Sequence, residues 1–150
     1  MLNLIEYETE FILTIQTIRV KNINNFKGAI IEESLSNPEI LKKVNITKTE
    51  IYPVTERHKT PWVKQWTFHF VEVDENKAES IASEIGKNMD SEHVWYADFR
   101  NNKTHYVIYF NRVFKMDIRK KEDYQKAIDY GSKLGLPDYQ LDFSPHHKVL

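Results

Sequence analysis

Apolar and polar positions alternate along much of the chain, and in places the period lengthens to that of a helix. Between Gln65 and Val73, Trp66, Phe68 and Phe70 share one face while Thr67, His69 and Val71 share the other, which predicts a strand. From Ala78 the period becomes helical. Ala78, Ile81, Ala82, Ile85 and Met89 form one stripe, Lys77, Glu84 and Lys87 lie opposite, and Asp74 is placed to cap the helix. Residues 92–118 predict a three-stranded meander, EHVWYADF, THYVIYF and VFKMDI. Its turns fall at Arg100-Asn101-Asn102-Lys103 and Asn111-Arg112, where asparagine tolerates positive φ. A last helix is expected over about 121–134, with a stripe of Tyr124, Ala127, Ile128, Gly131 and Leu134, and Gly135 and Pro137 stop it.

The first part of the chain reads less sharply. Phe11 to Val20 is rich in isoleucine, threonine and valine and predicts a strand, although Ile12, Ile15 and Ile18 also fit a helical face. KNINNFK is a loop ending at Gly28, residues 29–35 a short strand, and Ser36-Asn37-Pro38 opens a short helix ending near Val44. Residues 46–54 alternate as a strand with Pro53 at its exit. The expected fold class is α+β: a single domain with a mostly antiparallel sheet, two longer helices and one short helix packed on it. The order β-α-β-β-α-β over 29–99 points to a ferredoxin-like core with an added C-terminal hairpin strand and helix. The parts are an N-terminal strand and loop (1–28), the α+β core (29–143) and a tail (144–150).

Composition narrows the function classes. With Lys+Arg 21 against Asp+Glu 22 the net charge is −1, so no global field draws nucleic acid or anionic lipid. The absence of cysteine removes disulfides, thiolate catalysis and sulfur-bound zinc. No apolar run approaches the roughly 20 residues of a membrane span. Glu6, Glu8 and Glu10 precede the first apolar patch in place of a basic leader, so a cytoplasmic protein without a membrane partner is expected.

No phosphate-binding glycine loop, nucleophile elbow or H-E-x-x-H motif occurs, and no cofactor is expected. The most specific constellation lies in the first hairpin of the meander. A turn centred on Asn101-Asn102 sets Phe99 opposite Thr104, Asp98 opposite His105 and Tyr96 opposite Val107, with Tyr96 and Arg100 flanking the pair. An aspartate beside a histidine orients the imidazole and favours its charged form, as general acid/base work needs. The simpler role, and the favoured one, is a cross-strand pair that fixes register. Six histidines show no i, i+2 spacing on a strand, and no metal site is assigned. The loop RHKTPWVK sets Trp62 among Arg57, Lys59 and Lys64, where it either plugs one end of the core or stacks a base, sugar or peptide side chain. Trp66, Phe68, Phe70, Trp95, Phe99, Tyr106, Ile108 and Phe110 read as one core layer under the two helices.

The leading expectation is a non-catalytic binding or protein-interaction module. The alternatives are a small hydrolase-like acid/base enzyme built on Asp98 and His105, and a nucleic-acid-associated protein using the basic loop 57–64. The strand Phe11 to Val20, apolar on both faces, further suggests a homodimer through a sheet edge.

Overall fold

The strict alternation of Gln65–Val73 becomes β3, which pairs with β2 on one side and β1 on the other. The computed structural model describes residues 24–146. In chain order it contains β1 (Phe26–Ile31), β2 (Asn45–Pro53), β3 (Gln65–Val73), α1 (Ala78–Lys87), β4 (Ala97–Arg100), β5 (Thr104–Tyr109), β6 (Arg112–Asp117) and α2 (Lys121–Lys133). The strands form one six-stranded sheet in the order β2-β3-β1-β4-β5-β6, and each neighbouring pair is antiparallel. This is the α+β class expected from the pattern. Among the described residues no helix is long and apolar enough to cross a membrane. The expected strand Phe11 to Val20, and the dimer edge drawn from it, lie outside the described residues.

The connection between β1 and β2 differs from the expected α-helix. It carries two short 3-10 segments, Glu32–Ser34 and Pro38–Lys43. Asn37 caps the second by accepting the Glu39 N–H at 3.2 Å, yet Ile40 is its sole buried residue. One apolar anchor gives an α-helix too little burial to propagate. β1 also ends at Ile31 rather than running to Leu35. Glu32 and Glu33 turn out of the strand to hold His69 and Thr67 of β3. The stretch 92–96 likewise stays out of the sheet. The Asp90 carboxylate gathers the Glu92 N–H, the His93 ring and the Trp95 indole N–H, so pairing begins only at Ala97.

The two α-helices cover opposite faces of the sheet. α1 lays its expected stripe of Ala78, Ile81, Ala82 and Ile85, continued by Met89, against the face that carries Phe26, Ile30, Val71, Val73, Phe99, Tyr106 and Ile108. α2 packs Tyr124 and Ala127 on the reverse face, against Val107, Tyr109 and Met116. Strand β5 is therefore buried on both sides, while among the described residues neither α1 nor α2 packs on the reverse face of β1 and β3. This corrects the single aromatic layer. Trp66, Phe68 and Phe70 point away from α1 and are half-buried, and Phe110 sits exposed in the turn between β5 and β6. That turn is Phe110-Asn111, with Asn111 at φ 54, one residue earlier than the pair read from sequence.

Candidate functional site

The hairpin of β4 and β5 brings Asp98 and His105 together, though in a different register from the one expected. Arg100 stands opposite His105, and Asp98 opposite Val107. The loop chemistry explains the shift. Asn101 is the anchor of the turn rather than its centre: its Oδ1 accepts the N–H groups of Lys103 and Thr104, and its own N–H donates to the Thr104 carbonyl. A shift by two residues preserves the face, because side chains alternate with period two. Asp98 thus reaches His105 diagonally, Oδ2 to Nε2 at 2.7 Å.

His105 is 1 % exposed and uses both ring nitrogens. Its Nδ1 lies 2.9 Å from the Tyr124 hydroxyl, contributed by the buried stripe of α2. One tautomer satisfies both contacts: Nε2–H donates to Asp98, and Nδ1 accepts the Tyr124 proton. Burial pushes the Tyr124 phenol above its ordinary range, and the Asp98 and Asp117 charges act in the same direction against the opposing effect of Arg100. The phenol therefore stays protonated and able to donate. The relay runs from the hydrophobic layer under α2 out to Asp98, whose side chain is 29 % exposed.

Asp98 opens onto a cavity of about 220 Å³ on the reverse face of the sheet. Ala29, Ile31, Trp66 and Phe68 make its floor, Trp95 and Tyr96 one wall, and Thr60, Leu136 and Gln140 close it from two loops. The aromatic rings meet at angles: Trp66 and Trp95 have centroids 5.8 Å apart with planes inclined at 57°, and Trp66 and Phe68 lie 6.0 Å apart at 46°. The polar edges of the rings are engaged. Trp66 Nε1 donates to Thr60 Oγ1 at 2.8 Å, and the Tyr96 hydroxyl donates to the Gln140 carbonyl at 2.5 Å. Burial, then the nearby Asp98 and Asp142 charges, drive the Tyr96 phenol far above its usual range. The Gln140 Nε2 donates to the His58 carbonyl at 2.9 Å, tying the segment after α2 to the loop before β3.

The other residues singled out from sequence fall at different distances from this cavity. Tyr96 lines it. Arg100 lies beyond Asp98 in an adjoining open depression with Lys27 and Glu72. Trp62 stacks on His93, centroids 4.0 Å apart and planes 12° from parallel, and meets Trp95 edge-on. It remains 42 % exposed. Arg57 lies over the Tyr139 ring and its carbonyl accepts the Tyr139 hydroxyl, while Lys59 and Lys64 flank a shallow, open hollow outside the cavity. The basic residues of the loop thus spread over separate surroundings. Among the described residues no group of three or more histidines and carboxylates is placed to hold a metal.

A second relay occupies the other face. His69 joins Thr49 Oγ1 at 2.9 Å to Glu32 Oε2 at 2.6 Å, where β3 pairs with β2. Sequence reading missed it, as it missed Thr60, Leu136, Gln140 and the hydroxyl role of Tyr124. For Tyr124 a signal existed, since a phenol on a buried helix stripe needs a partner. No protein-family model, curated protein or solved structure matches this chain.

Proposed function

We propose that the chain is a non-catalytic binding module whose ligand seat is the aromatic cavity on the reverse face of β1, β3 and β4. One observation carries this reading: the imidazole faces inward and a carboxylate faces the cavity. His105 is buried and has both nitrogens bonded, so its proton chemistry is spent on fixing Asp98. The cavity offers ring faces and one anchored anionic group, the composition of a recognition site. The acid/base alternative needs an imidazole that meets substrate, and the nucleic-acid alternative needs a continuous basic surface around Trp62. Neither demand fits the positions of His105, Arg57, Lys59 and Lys64.

The test is a fragment screen by NMR on isotopically labelled protein. Perturbations concentrated on the Trp66 and Trp95 indole N–H signals and on the Asp98 amide support the reading. Perturbations confined to other surfaces, or chemical conversion of a bound fragment that Asp98→Asn abolishes, overturn it.

A further inference from the structure

The cavity's polar inventory is one-sided. Of the described residues that line it, Asp98 is the only one charged at neutral pH. The side-chain nitrogen donors around it, and the Tyr96 hydroxyl, are committed. The Trp66 indole N–H goes to Thr60, the Trp95 indole N–H to Asp90 at 3.3 Å, the Tyr96 hydroxyl to the Gln140 carbonyl, and the Gln140 amide nitrogen to His58. The anionic acceptor that faces a ligand is the carboxylate of Asp98, while the Thr60 hydroxyl, which accepts from Trp66, keeps one rotatable donor. A guest that brings its own donors satisfies the carboxylate, whereas an acceptor-only guest leaves it opposed and desolvated.

The rings select charge in the same sense. Trp66, Trp95, Tyr96 and Phe68 line the cavity, and an aromatic face turned to a cation attracts it through its quadrupole. The planes of Trp66, Trp95 and Phe68 are inclined to one another rather than parallel, which suits a compact body better than a flat one. His105 supplies the remaining condition, rigidity. Its bond to Oδ2 holds the carboxylate in place before any ligand arrives, which lowers the ordering cost of binding. Lys27 and Arg100 belong to the adjoining depression beyond Asp98 and do not line the cavity.

Resting on the binding reading above, we infer that the cavity takes an organic ammonium ion that still carries N–H, its head on Asp98 and its apolar body among Trp66, Phe68 and Trp95. Primary and secondary ammonium groups satisfy the carboxylate. A quaternary head offers the same charge without donors and binds more weakly.

The experiment titrates the full chain with benzylammonium, with the neutral isostere benzyl alcohol and with benzoate, followed by tryptophan fluorescence and by the indole N–H signals of Trp66 and Trp95. Benzylammonium is expected to bind at least about tenfold more tightly than benzyl alcohol, since a charge-assisted hydrogen bond is about twice as strong as a neutral one. Benzoate is expected to bind weakest. Asp98→Asn retains an oxygen for His105 and is expected to erase the preference for the cation over benzyl alcohol. Equal affinities for cation and alcohol, with both indoles shifted, overturn the ammonium inference and leave the binding module standing. No indole shift with any of the three probes overturns both. The comparison of probes on the parent protein decides the matter even where the variant folds poorly.

Discussion

Gly28 lies at the centre of the sheet, paired with Val71 of β3 on one side and Phe99 of β4 on the other. A Cβ built at this position would stand 1.9 Å from the Asp98 carbonyl oxygen and 2.5 Å from the Phe99 Cα. Ordinary contact begins near 3.4 Å, so strand β4 must retreat by about 1.5 Å to admit one methyl group. The obstacle is backbone, which cannot rotate away as a side chain does, and β4 is held on its far side by β5. Overpacking costs about 1–3 kcal/mol where side chains can yield, and Gly28→Ala is expected at or above the top of that range. For a domain of this size about 3 kcal/mol lowers the melting temperature by roughly 6–12 °C. Because Asp98 rides on the displaced strand, the same variant is expected to weaken benzylammonium binding under conditions where it remains folded. Thermal unfolding followed by circular dichroism measures the cost. Gly135→Ala serves as the reference, since φ there is +101° and nothing lies within 4 Å, leaving only a backbone penalty on the order of 1–2 kcal/mol. A Gly28→Ala protein that melts within about 2 °C of the parent, or above Gly135→Ala, refutes the close-approach argument.

Tyr124→Phe leaves the buried Nδ1 of His105 without its donor and is expected to cost about 1–3 kcal/mol in chemical denaturation; a cost below about 0.5 kcal/mol would contradict the relay. Ile81→Asp puts an unpaired charge at a position 4 % exposed under α1 and is expected to unfold the domain, visible as loss of dispersion in the NMR spectrum. The Asp117 carboxyl, hydrogen-bonded by the Arg119 guanidinium and then by the Arg119 backbone N–H, is held down at about 2 against an ordinary 3.8. Its contribution to stability is therefore fully present above about pH 4 and is lost as pH falls through about 2, because the unfolded chain takes up that proton first. Arg119→Ala is expected to return the Asp117 titration, read from carboxyl carbon shifts, towards the ordinary range. An unchanged midpoint would refute the assignment.

What could be read from the residues alone depended on whether the information was local. The period-two run of β3 and the stripe of α1 need only neighbouring residues, and both elements formed within the expected bounds. Asp98 and His105 met despite a misplaced register, because face parity survives a slip of two and Asn101 alone decided where the loop began. The cavity was not legible. A helical stripe states that one side is buried, but not which face of the sheet buries it, so Trp66 and Phe68 were placed under α1 when they line the opposite side. Thr60 is held by the Trp66 indole six residues on, but Gln140 reaches the site through a bond to His58 that spans 82 residues of chain. No local pattern encodes such a meeting.

The placement of α1 and α2 on opposite faces of β5 also sets how the protein opens. Strand β5 is clamped from both sides, whereas β2 is the outer strand of the sheet among the described residues and its side chains are almost all exposed. Amide hydrogens of β5 should exchange with solvent only through global unfolding, while those of β2 exchange through fraying of the outer strand at far lower cost. The cavity spans this boundary, with Trp66 and Thr60 from the looser side and Leu136 and Gln140 from the segment beyond α2. A bound molecule then acts as a rivet between a firm half and a breathing one. Where fraying of β2 and β3 dismantles the seat, occupancy slows exchange there by the factor 1 + [L]/Kd, so ligand concentration sets the local opening rate of the sheet's outer half.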